Sequence, residues 1–84
     1  MKCKVLGLQR ATGEYQGRNY DNYNLFVSYP KEHVVGEVAE KLKFKAVSFS
    51  EFCSNVGVVP KDLVGMTIDV SFNRYGQPET IDLA

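Results

Sequence analysis

The stretch from Tyr20 to Tyr29, YDNYNLFVSY, alternates as a β-strand does and constrains the chain more than any other segment. Successive strand side chains point to opposite faces. Tyr23, Leu25, Val27 and Tyr29 therefore share one side, and Tyr20, Asn22, Asn24, Phe26 and Ser28 share the other. The first set suits a core. The second leaves two aromatics among polar residues on a face that water should reach. Pro30 ends the strand because it cannot donate to a ladder. Upstream, Lys2 to Arg10 reads as a first strand in which Cys3 and Val5 share a face and Leu6 and Leu8 fall on the other. That switch, beside Gly7, predicts a bulge or sharp bend. Ala11 to Gly17 has turn character, which predicts a long hairpin with its loop near Gly13–Gly17.

The segment Val34 to Ala46 carries two periods. Val35, Val38, Ala39 and Leu42 have helical spacing, whereas Leu42, Phe44 and Ala46 alternate with Lys41, Lys43 and Lys45. The alternation is sharper and predicts a third strand over about Val38–Val47. Ser48 and Glu51 have capping-box spacing, and Phe49, Phe52, Cys53 and Val56 recur at helical intervals before Gly57, so a short helix is expected at Phe49–Val56. Pro60 and Gly65 bracket a connector with a turn at Asp62 to Val64. Met66, Ile68, Val70 and Phe72 alternate with polar residues as a half-buried strand. A turn over Asn73–Pro78 leads to a last strand at Glu79–Leu83. The expected fold is all-β with one short helix: a single domain, residues 1–84, built as a five-stranded OB-fold-like Greek-key barrel. Gly7, Gly36 and Gly65 are the expected points of curvature.

At 84 residues the chain buries only about 60% of its unfolded surface, so its stability should be modest. No apolar run approaches a membrane span, and MKCKVLGLQR lacks the features of a signal peptide; no membrane association and a cytoplasmic location are expected. Cys3 and Cys53 read as reduced thiols, at least one buried, rather than as a disulfide. One histidine and two cysteines, widely scattered, do not make a zinc site. His33 stands alone in a polar loop and reads as a solvated surface residue rather than a general base. No nucleophile elbow, phosphate loop or HExxH sequence is present, so an enzyme is the least favoured class, and no cofactor is implied.

The binding inventory is richer. Tyr20 and Phe26 share the outer face of the second strand, with Tyr15 and Arg18 beside the hairpin loop and Arg10 at the end of the first strand. Lys43 and Lys45 lie on the third strand, and Arg74 and Tyr75 at the tip of the second hairpin. Rings can stack on unpaired bases while cations follow the phosphates. Phosphate neutralisation dominates such affinity, and the formal net charge is zero. Yet residues 1–45 hold eight basic against five acidic side chains, and residues 46–84 hold two against five. A dipolar molecule can present one basic face. The expected role is sequence-tolerant, non-enzymatic binding of single-stranded DNA. Single-stranded RNA stays open, because stacking does not read the 2′-hydroxyl. A small-barrel module for protein interaction or self-association through Phe26 is the alternative.

The pattern Gln16-Gly17-Arg18-Asn19-Tyr20 opening a strand, Val64-Gly65-Met66 leading into another, and the tip Arg74-Tyr75-Gly76 together resemble the small single-stranded DNA-binding proteins of filamentous phages. They also look like short OB-fold proteins of Gram-positive phages and mobile elements. The likeness covers most of the chain in layout and short stretches in detail. It implies DNA contacts at Arg18, Tyr20 and Tyr75, a homodimer that coats single strands cooperatively, and a place in phage or mobile-element replication. The chain departs from that family in its zero net charge and in its helix-bearing middle section.

Overall fold

Two long strands, β1 (Lys2–Tyr15) and β2 (Arg18–Pro30), make the hairpin on which the rest is assembled. The computed structural model describes residues Met1–Ala84. The turn expected over Ala11–Gly17 is much shorter than that. Ala11 to Tyr15 stay in the ladder, Tyr15 pairs with Arg18, and only Gln16 and Gly17 turn the chain. Both have positive φ, 52° and 76°, which a type I′ hairpin turn requires and which matches the twist of the flanking strands. Gly13 misled the reading of the sequence: it is a strand residue opposite Tyr20, not a turn residue.

The expected bulge is present. The register shifts between Val5, which faces Val27, and Gly7, which faces Phe26, leaving Leu6 without a partner. One extra residue reverses the parity of the strand. Cys3 and Val5 before it and Leu8 after it all turn to the core as a result.

β2 pairs from Asn22 to Pro30 with β3 (Glu37–Lys45), so the segment of mixed periodicity is a strand as expected. The chain then passes directly into helix α1 (Ala46–Val56), earlier than the capping spacing suggested. Lys45 is the N-cap residue and no side chain caps the helix, so Ser48 and Glu51 are not used as a capping box. Burial takes precedence over the cap here: starting at Ala46 puts Ala46, Phe49 and Cys53 on one buried stripe. The far end follows expectation. Gly57 takes φ 77°, and the Val58 N–H donates to the Cys53 carbonyl at 2.9 Å, closing a Schellman turn. A 3-10 turn at Pro60–Leu63 leads to β4 (Thr67–Phe72) and β5 (Pro78–Leu83).

All pairings are antiparallel, and the sheet order is β3-β2-β1-β4-β5. The edge strands β3 and β5 approach within 8 Å between Cα atoms but share no ladder, so the sheet is curved and not closed. No helix is long and apolar enough to cross a membrane. The inner face carries one core, from Cys3, Val5, Leu25, Val27, Leu42, Phe44, Ile68, Val70 and Ile81, with α1 and Leu63 packed into it. Cys3 and Cys53 are both free and buried. Phe49 is fully buried at the centre. Its ring stacks on Tyr23 at 4.7 Å between centroids and meets Phe44 at 5.7 Å, joining β2, β3 and α1.

Truncating Phe49 removes the one side chain that all three elements share. Phe49→Ala is expected to cost about 3–5 kcal/mol, a large part of what a domain this size holds. Val47→Ala, two residues earlier on the exposed side of α1, should stay within about 0.5 kcal/mol of the parent. Urea unfolding followed by circular dichroism measures both.

Candidate functional site

The two-residue turn decides what the outer face carries. With Tyr15 opposite Arg18, the ladder continues Gly13–Tyr20, Ala11–Asn22, Gln9–Asn24 and Gly7–Phe26, all on the outer face. The third strand adds Lys45, Lys43 and Lys41 opposite Asn22, Asn24 and Phe26. Three neighbouring strands thus present three small-residue positions, two asparagines, aromatic rings and a row of lysines on one surface. Asn24 Nδ2 donates to Gln9 Oε1 at 3.3 Å, linking the first two strands across it.

The hairpin twists over this surface and makes a concavity. Tyr15, Arg18 and Tyr20 form the hairpin side, Asn22 and Asn24 the floor, and Lys41 and Lys43 the far wall. Glu14 is the only carboxylate among the lining residues. None of Arg18, Lys41, Lys43 or Lys45 lies within ion-pair distance of a carboxylate. Three free cations against one anion make this depression locally basic in a chain of zero net charge. Tyr15 is 70% exposed and Tyr20 44% exposed, so both rings are open to a ligand.

A second groove adjoins the first through Asn22, Lys41 and Lys43. It occupies the unclosed gap between β3 and the β4–β5 hairpin. Lys45 belongs to its β3 wall, Gln77, Pro78 and Glu79 to the opposite wall, and Phe44, Phe52 and Phe72 to its apolar part.

Of the residues that the sequence singled out, Tyr15, Arg18, Tyr20 and Lys43 come together in the first depression, and Lys45 lies in the adjoining groove. Phe26 is 38% exposed on the same face, between Gly7 and Lys41. Arg74 and Tyr75 line neither groove. They hold one another at the second hairpin tip, guanidinium carbon 5.0 Å from the ring centroid. That tip is fixed by Asn73, whose Oδ1 accepts from the N–H groups of Tyr75 (2.9 Å) and Gln77 (3.0 Å). Arg10 is on the wrong face. It pairs with Tyr23 in the ladder, lies 5.7 Å from that ring, and makes a two-pronged ion pair with Asp21 at 2.6 and 3.0 Å. Bonding to Arg10 lowers the pKa of Asp21, so the cation is already matched. The bulge at Leu6 sets its parity: Arg10 falls on the same side as Leu8, facing the helix. Lys41 was the omission, although it shares its parity with Lys43 and Lys45.

The chemistry of the remaining groups is quiet. Burial pushes the thiols of Cys3 and Cys53 up, which keeps them protonated and weakly nucleophilic at neutral pH. The Tyr29 hydroxyl donates to Glu40 at 2.8 Å, and that carboxylate raises its pKa. His33 is a loop residue with a 90% exposed side chain, 3.6 Å from Glu32. No group of three or more His, Cys, Asp and Glu residues is placed to hold a metal ion. The chain matches no protein-family model, no curated protein and no solved structure.

The Arg10–Asp21 pair gives a pH signature separate from the outer face. A carboxylate whose folded pKa is depressed contributes stability above its unfolded pKa and loses that contribution as pH falls through the folded value. Asp21→Asn should therefore lower the urea midpoint at pH 7, and the gap to the parent should narrow steadily below the ordinary carboxylate range. Urea titrations of both proteins at pH 7 and pH 3 measure the two gaps.

Proposed function

We propose that this chain is a non-enzymatic, sequence-tolerant binder of single-stranded DNA, held on the outer face of β1, β2 and β3. The observation that carries this reading is the single depression shared by Tyr15, Arg18, Tyr20, Lys41 and Lys43. Two exposed rings give stacking surfaces to unpaired bases, each worth about 1–3 kcal/mol, and three unpaired cations lie where a backbone would run beside them. The floor is asparagine, able to donate and accept without demanding one base.

The same reading makes the fold an OB-type barrel opened along one seam. The neighbour order β3-β2-β1-β4-β5, the helix between β3 and β4, and the approach of the two edge strands support it. The resemblance to phage and mobile-element single-stranded DNA-binding proteins supports a replication role in such an element. With few phosphates neutralised, salt dependence should be shallow: three contacts on a single strand give a slope of roughly −2 in log affinity against log salt. RNA is the competing ligand. Phe26, 38% exposed, and the bulged Leu6, 49% exposed, favour self-association as a second role for the same face.

Anisotropy of a fluorescein-labelled oligo(dT) tests the reading. Tyr15→Ala should weaken binding about 5- to 150-fold with an unchanged melting temperature, the range spanned by loss of one stacked base. Lys43→Ala should flatten the salt slope by about 0.7. Arg10→Ala and Tyr75→Ala should matter much less than either. Absence of binding at micromolar protein in low salt overturns the proposal, and a parallel titration with oligo(rU) decides between DNA and RNA. Sedimentation showing a tight dimer with no oligonucleotide affinity would favour the interaction module.

A further inference from the structure

The two glycines of β1 lie directly opposite the two aromatic residues on the outer face of β2: Gly13 opposite Tyr20 and Gly7 opposite Phe26. The contacts differ. A Cβ built on Gly13 would lie 2.6 Å from Cζ and 2.9 Å from Cε1 of Tyr20, whereas one built on Gly7 would lie 3.7 Å from Cδ2 of Phe26, an ordinary separation. The Tyr20 ring therefore rests on the bare backbone of β1 and occupies the space that any side chain at position 13 would need. Neither glycine is required by its own dihedral angles, since neither has positive φ. At position 13 the absence of a side chain serves the ring.

We infer that Gly13 is a positioning residue for Tyr20, laying the phenol across the hairpin so that one ring face is backed by β1 and the other is presented to a ligand. This deepens the binding reading and rests on it for the identity of the ligand. A ring free on both sides can swing and can be sandwiched between bases. With no room between the ring and β1, Tyr20 takes one base, on one side. A backed ring also loses less freedom when a base lands on it, because its orientation is set in advance. Strand glycines covered by a cross-strand aromatic are a known stabilising arrangement; here the covering ring also lines the basic depression.

The atoms that alanine would displace are at the far end of a flexible side chain, so Gly13→Ala should move the ring and leave the fold intact. Two measurements follow. In proton NMR of the free protein, the Gly13 Hα resonances should be displaced by the Tyr20 ring current and should relax in Tyr20→Leu. Unshifted resonances overturn the inference. In the oligo(dT) titration, Gly13→Ala should weaken binding toward the value of Tyr20→Ala, Gly7→Ala should not, and Gly13→Ala should add nothing in the Tyr20→Ala background. An equal loss in that background, or no loss in the wild-type background, also overturns it. If the wild-type protein binds no oligonucleotide, the DNA reading fails and the ring-current measurement decides the positioning role by itself.

Discussion

Register in the β1–β2 hairpin is the constraint from which both faces of this molecule follow. Side chains alternate with a period of two, so a slip of one residue would send Leu25 and Val27 outward and Tyr20 and Phe26 into the core. Two features fix it. The turn at Gln16–Gly17 sets the pairing at one end, and the bulge at Leu6 resets it near the other. Between them the ladder runs unbroken from Gly7–Phe26 to Tyr15–Arg18. β3 inherits this register through β2, which is why its lysines share a surface with Tyr20 rather than with Tyr23.

The charge distribution makes sense in the same frame. Zero net charge argues against strong attraction to a polyanion at a distance. At close range, what counts is which cations are already matched. Arg10 is tied to Asp21 on the helix side, while Arg18, Lys41 and Lys43 keep their charges unopposed around one depression. Asp69 and Asp82, which face each other across β4 and β5, lie at the other end of the sheet. The separation between halves of the sequence becomes a separation in space because β1–β3 occupy one side of the sheet and β4–β5 the other.

Much of this was legible in the sequence, and the rest was hidden for definite reasons. The alternation of Tyr20–Tyr29, Leu42–Phe44 and Met66–Phe72 named the strands and most of their buried residues, although Ser28 on the outer face is buried and Phe72 is exposed. The Leu6 bulge was readable because hydrophobic parity switches beside Gly7. The length of β1 was not, because Gly13 in a polar run looks like a turn. It is strand because the two-residue turn falls at Gln16–Gly17 and carries the ladder past it. The start of α1 was misplaced because burial of Ala46 outweighs the capping residues that follow it. Whether Arg74 and Tyr75 join the outer face depends on how far the sheet curls, and curvature is a property of the whole sheet.

The outer face also has a stability cost that the inner face must offset. Glycine within a strand weakens it, and exposed rings gain less from burial than core rings do. A surface that keeps Gly7, Gly13, Tyr15, Tyr20 and Phe26 in one hairpin, and unpaired lysines beside it, is therefore a poor choice for stability alone. The compensation sits on the opposite side of the same strands. Phe49 joins Tyr23 and Phe44, so the strands that carry the exposed rings are clamped from behind by α1. A hairpin held this way can stay ordered where its outer side chains contribute little. The proposed binding of stacked bases would need that division of labour, which β2 carries residue by alternate residue.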